Sequence, residues 1–334
     1  MARRPRKDPD LRTLAAGGTV AAGAAIAAAG TATRVRARRR KRARRYRLGD
    51  GEQVAEGIRR IARGQLDLVA DQIGRSGGGS RDKGVHEARK AFKRLRSLVR
   101  LTRDQLGADV RRRENAAFRA AGRSLSAARD ARVLVETLDD LVARNRDVVR
   151  PGAFDGLRRA LVSAANEAAG KGGGHDAAEV LAAVAAARER LESWPVADDV
   201  ASLAPGLKRI QRRGRRAYRA AKADPSATRL HELRKRTKDL WHAAQVLRPA
   251  ATKRMRKLAR AAHKLSDVLG ADHDLATLLE AGRTHTLALT PPDRELLGEL
   301  IERRRARLRG DALRRARKLY ARKPRKLAGW LPSH

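Results

Sequence analysis

The chain has 334 residues, enough for one large hydrophobic core or two ordinary ones, and it carries 78 Lys and Arg against 37 Asp and Glu, a formal net charge of +41. A charge of that size exceeds what solubility needs and makes a polyanion the expected partner, whether nucleic acid, anionic membrane or a phosphate polymer. The absence of cysteine excludes disulfides and thiolate chemistry, while the excess of Ala and Arg over β-branched and aromatic residues (aromatics are 3%) predicts an all-α chain.

Residues 1–49 read as a low-complexity, basic N-terminal extension. Leu14 to Ala32 carries no charge for 19 residues, long enough on paper to span a bilayer. It is nearly all Ala, Gly and Thr, so it has little driving force to enter lipid. As the apolar part of a signal peptide behind Arg3, Arg4 and Arg6 it is long and weak. A tail is the preferred reading, ahead of a membrane-associated helix or a leader. Arg34 to Arg47 then places ten Lys or Arg in fourteen residues without an acid, which favours a tail that adds affinity for a polyanion over a solvated linker.

From Gly51 onwards the helical period takes over. Gln53 to Ile73 predicts an amphipathic helix ended by Gly74 and the Ser76–Ser80 loop, and a second helix runs to about Arg103. Val110 to Ala128 and Ala131 to Arg144 follow, separated at Arg129-Asp130. A segment before Gly170–Gly174 and the Ala-rich stretch Ala177 to Leu191 complete a first half. Trp194-Pro195 to Pro205-Gly206 reads as a linker between a first bundle, about 50–193, and a second, about 206–325. The second set is Leu207 to Ala223, Ala227 to Leu247, Thr252 to Leu269, Leu275 to Leu287 and Arg294 to Tyr320, with Pro291-Pro292 as a loop before the last helix.

The second helix carries the chemistry. At about 100° per residue, Val85, Ala88, Phe92, Leu95 and Val99 form one stripe, with Ala91, Leu98 and Leu101 beside it. His86, Arg89, Lys93, Arg96 and Arg100 form another, widened by Lys90 and Arg94. Like charges one turn apart repel, so something anionic must offset the cost. The pattern His-Glu-x-Arg-Lys-x-x-Lys-x-Leu stands at 86 and again at 231, which adds His231, Arg234, Lys235 and Lys238. A second echo pairs Leu125–Asp130 with Leu269–Asp274. A repeat of about 145 residues is domain-sized and points to a duplicated helical bundle.

These residues resemble the CHAD domain, the conserved-histidine α-helical domain. Val85-His86, Arg89 and Lys93-Arg94-Leu95-Arg96 match its first signature. His231–Trp241, preceded by the basic run Arg212-Arg213-Gly214-Arg215-Arg216, is similar to its second. The resemblance covers roughly residues 50–325. It implies two four-helix bundles about a pseudo-two-fold axis, a basic channel that binds inorganic polyphosphate, and no catalysis.

His-Glu-x-x-His would be a zinc-binding helix, but position +4 is Lys90 in one copy and Lys235 in the other, and a cation there repels a metal. No metal or cofactor is expected. The functional reading of His86 and His231 is a donor to phosphate oxygen, with a histidine at the edge of the core as the plain alternative. The second copy departs from the first: Asp239, Trp241 and Gln245 replace Arg94, Arg96 and Arg100, so the columns are unequal. Arg212, Arg213, Arg215 and Arg216 cover more than one face, and Arg212 or Arg213 with Arg216 forms the plausible ligand pair. Asp130 and Asp274 read as helix caps or partners for a neighbouring Arg. No Walker-type phosphate loop and no Glu-x-Glu-x-Lys signature of a triphosphatase barrel is present, so no enzyme is expected.

The expectation is therefore an all-α protein whose basic groove is lined by His86, Arg89, Lys90, Lys93, Arg94, Arg96, Arg100, Arg212, Arg213, Arg216, His231, Arg234, Lys235 and Lys238. Its expected ligand is inorganic polyphosphate, and its expected place the cytoplasm, at polyphosphate granules. Non-specific DNA or RNA binding is the alternative, weakened by the scarcity of aromatic platforms for bases. Docking on anionic membrane through residues 14–47 is a further one.

Overall fold

A computed structural model describes residues 45–74, 81–125, 127–171, 177–285 and 288–332. The uncharged stretch at 14–32, most of the Arg34–Arg47 run and the Ser76–Ser80 loop lie outside the described residues. The described residues form eleven α-helices and no strand: α1 Val54–Gly74, α2 Arg81–Leu101, α3 Arg103–Ser124, α4 Ala127–Ala143, α5 Asp155–Lys171, α6 Ala177–Glu192, α7 Ala204–Ala223, α8 Ala227–Val246, α9 Thr252–Thr284, α10 Pro291–Tyr320 and α11 Pro324–Ala328. The chain is all-α. None of these helices is long and apolar enough to cross a membrane.

The apolar stripe of α2 is the stripe that packs. Ala88, Ala91, Phe92, Leu95, Leu98, Val99 and Leu101 are buried, and Val85 lies partly buried against the same core. α1 brings Ile58, Ile61, Leu66 and Val69 to it at helical spacing. α1, α2, α3 and α6 pack as neighbours in the first half, and α7, α8, α9 and α10 in the second. One continuous core joins residues of both sets, because α2 packs directly on α7 and α8. At the closest point a Cβ on Gly206 would overlap the Leu101 carbonyl oxygen, so only glycine lets α7 approach α2.

Several boundaries differ from the sequence expectation. The Arg129-Asp130 pair lies inside α4, and the chain breaks earlier, after α3. α3 begins at Arg103 rather than Val110, and Gly107 (φ 72°) kinks it one turn in. The Leu269–Asp274 echo is no break at all: α9 runs through it for 33 residues. Within the unbroken helix the buried Asp272 carboxylate receives Arg305 at 3.2 Å and Arg309 at 3.4 Å from α10. Asp274 therefore caps nothing. Pro291 and Pro292 start α10 rather than a loop, where missing N–H groups cost nothing, and Thr290 caps the helix by accepting from the Asp293 N–H.

The far halves of α9 and α10 project past the main core and pack with the α4–α5 hairpin around Leu138, Leu157, Leu278 and Ile301. The segment from Trp194 to Pro205 is no loose tether. Trp194 is buried, Asp198 Oδ1 accepts from the Ala55 N–H at the start of α1 (3.0 Å), and Val200–Leu203 forms a 3₁₀ turn.

Candidate anion-binding site

The two signature helices, α2 and α8, cross face to face. Ser97 and Arg100 reach Asp239, at 3.3 and 3.1 Å. One turn back along α2, the charge of Arg94 acts on His242, one turn forward along α8. Contacts that advance on one helix as they recede on the other mean that the helices run in opposite directions. Lys93 comes close enough to Lys238 at the crossing for its charge to act on that lysine. His86 stands seven residues before Lys93 and His231 seven before Lys238, so the histidines are at opposite ends, on the order of 20 Å apart. His86, Arg89, Lys93, Lys238, Arg234 and His231 thus form a linear series, and no single phosphate could touch both histidines.

Lys238 shows the cost of this crowding. Burial first, then Arg234 and Lys93, push its pKa down to about 8, with Asp274 and Asp267 opposing. Burial and then His273, whose ring lies 4.4 Å away, hold His231 at about 4, so its imidazole is neutral near pH 7. Its Nδ1 and the Arg234 Nε are buried without a partner in the protein.

Beside the crossing, α2 continues its column into a pocket of about 260 Å³. Arg96 and Arg100 of α2, Arg103 and Arg111 of α3, Arg209 and Arg213 of α7 and Arg236 of α8 line it, and Asp239 is the one carboxylate among its lining residues. Asp239 is 7% exposed and bonds Arg100 and Arg236, each at 3.1 Å. Arg96, held by Asn115 at 3.2 Å, has its pKa lowered to about 10 by burial and then by Arg100. Arg213 is lowered too, by burial and then by Arg236. The pocket thus concentrates guanidinium groups around one carboxylate.

Not every expected site residue joins these clusters. Lys90 and Lys235 point to solvent and pair with Glu87 and Glu232, at 2.8 and 2.7 Å. Arg94 turns towards α1, bonding Gln65 at 3.3 Å and lying over the ring of Tyr46. Arg212 and Arg216 are exposed on α7, and of the basic run only Arg213 lines the pocket. Trp241, standing where the first copy has Arg96, stacks between His242 and His263 at 4.7 and 4.3 Å. Arg103, Arg111, Arg209 and Arg236 line the pocket without being among the residues that the sequence singles out. In sequence they look like solvated helix positions, and only the packing of α3, α7 and α8 against α2 turns them inward. Among the described residues no group of His, Asp and Glu could hold a metal ion.

A family model for the CHAD domain matches residues 60–283, which is more than half of the chain. The protein belongs to the CHAD-domain family. Among solved structures, the CHAD domain from the plant Ricinus communis is similar in fold, with a TM-score of 0.56 and 18% identity over 82% of this chain and 94% of that one. No curated protein matches the chain.

Proposed function

We propose that this protein is a non-catalytic binder of inorganic polyphosphate, which it holds between α2 and α8 and in the adjoining arginine pocket. The observation that carries this reading is the pocket itself, lined by seven arginines and one carboxylate, with Asp104 and Glu232 outside the lining pairing only Arg209 and Arg236. Such a cluster is poorly balanced alone, and an anion with many oxygens relieves it through forked, charge-assisted hydrogen bonds. The roughly linear series from His86 to His231 suits a chain better than a compact anion, and the pocket's small volume admits only a short stretch of one. The Nε atoms of Arg209 and Arg234 are buried without a hydrogen-bond partner in the protein, which adds to the unbalanced positive charge of the region. Binding would release counterions and so weaken steeply with salt. We place the protein in the cytoplasm at polyphosphate granules, with residues 1–49 adding non-specific attraction.

The test is a competition at two salt concentrations. Labelled polyphosphate is displaced by duplex DNA or single-stranded RNA matched in phosphate, using the native chain and three variants: His86→Ala/Arg89→Ala, His231→Ala/Arg234→Ala and Arg96→Gln/Arg213→Gln. Polyphosphate is expected to win by at least about tenfold, or 1.4 kcal/mol, and the variants to lose that margin. Equal competition with unchanged variants would leave a generic polycation. Loss of localisation on deleting 1–49 alone would favour membrane docking.

A further inference from the structure

A second basic basin lies on the other flank of α7. The groove has a volume of about 1490 Å³ and is walled by α9, α10 and the C-terminal segment. Nine lysines and arginines line it and no carboxylate does, Arg254, Lys257 and Lys264 coming from α9, Lys318 from α10, and Arg322 and Lys326 from the C-terminal segment. The absence of acid is written into all three walls. Residues 252–266 and 312–332 contain no Asp or Glu, although both helices use acids freely elsewhere, as in the Asp272–Arg305 pair. Asp311, which receives Arg315 at 2.8 Å, marks the edge.

The groove is built rather than incidental. Leu327 and Leu331 are buried and pin the C-terminal segment, and the Gln211 amide N–H donates to the Arg322 carbonyl at 3.2 Å. Gln211 stands about 200° around α7 from Arg209 and Arg213, so the groove and the arginine pocket face opposite ways, separated by the helix's width of about 10 Å. Trp330, the groove's one lining aromatic, has the guanidiniums of Arg322 and Arg254 within 4.8 and 5.9 Å of its ring centre. Its ring is already engaged by cations and offers no free platform for stacked bases.

We propose that this groove is a second, independent site for a linear phosphate chain, so that one protein molecule holds two chain segments and cross-links long polymers. The inference rests on the polyphosphate reading of the preceding section. Two sites facing opposite ways cannot be filled by one short chain, but a long chain held at one site raises the local concentration of phosphate at the other.

Calorimetric titration of the full chain with tripolyphosphate separates the two ideas. The groove variant is Lys257→Ala/Lys264→Ala/Lys318→Ala/Lys326→Ala, all at exposed positions, with circular dichroism confirming its fold. The pocket variant is Arg96→Gln/Arg213→Gln. Each variant is expected to lose one equivalent relative to the native chain, and each to abolish the light scattering that long-chain polyphosphate induces. A groove variant with the native count overturns the inference and leaves the pocket standing. A groove variant that loses an equivalent beside an unaffected pocket variant overturns the pocket and leaves the groove. If the groove variant keeps the native tripolyphosphate count but loses heat in a parallel titration with single-stranded RNA, the groove is a nucleic-acid site and the inference fails.

Discussion

Asp239→Asn isolates the charge logic of the arginine pocket, because it removes one negative charge while keeping the shape of the side chain. The carboxylate is 7% exposed and serves Ser97, Arg100 and Arg236. Breaking a buried pair by removing one partner costs about 3–5 kcal/mol. Arg100 keeps 25% of its side-chain exposure, and Arg236 retains Glu232 at 2.7 Å, so both cations are partly compensated. A loss of about 2–3 kcal/mol follows, or a fall in Tm of about 3–5 °C for a chain of this size. Affinity should move the other way. A carboxylate about 8 Å from a bound phosphate opposes it by about 2 kcal/mol at an effective dielectric constant of 20. The variant should therefore bind polyphosphate at least about tenfold more tightly and recover more Tm on adding it than the native protein does. Differential scanning fluorimetry with and without polyphosphate, together with calorimetry, reads both quantities. A variant with native Tm, or one that binds more weakly, would refute the view that Asp239 stands in for the ligand's charge.

Lys238 should make binding depend on pH. Its pKa of about 8 in the free protein rises when a polyanion binds, so affinity should fall as pH climbs through 8, by about tenfold at pH 9 if the ordinary lysine value is restored in the complex. Lys238→Arg should flatten that profile, and a native profile already flat between pH 7 and 9.5 would count against a ligand at this lysine. Arg305→Leu removes a cation that opposes the burial of Asp272, whose carboxyl already sits above its usual range. A raised acid favours the protonated, folded state, so the variant's deficit of about 3 kcal/mol at neutral pH should shrink as pH is lowered. Urea midpoints at pH 7.5 and 5 measure this, and a deficit that grows on acidification would contradict it. Gly206→Ala pushes a methyl into the Leu101 carbonyl oxygen and should cost at least about 1–3 kcal/mol, seen as a lower urea midpoint with an unchanged slope; native stability would mean that α7 stands further from α2.

The apolar stripe of α2 was legible because period and burial agree there: all its positions but Val85 are buried, and Val85 is partly so. The unbroken α9 was not. The sequence divides it between Leu269 and Leu275, whereas the helix runs through and there sets Asp272 against Arg305, 33 residues away. The departure at Asp239 was visible as a flaw in the second cationic column. That it becomes the counter-charge for Arg100, 139 residues earlier, is a fact of the helix crossing.

Composition and the paired His-Glu-x-Arg-Lys pattern were enough for an all-α class and for the expectation of a polyanionic partner, since helix propensity, periodicity and net charge are properties of local sequence. Which cations meet is another matter. Lys90 and Lys93 are three residues apart, yet one pairs with Glu87 at 2.8 Å in solvent and the other stands by Lys238 at the crossing. Arg103, Arg209 and Arg236 share a pocket, and Arg254 and Lys326 a groove, across separations that no period encodes. The tertiary structure decided those groupings, because the strength of an electrostatic contact depends on distance and burial, and both are set by how helices distant in sequence pack against one another.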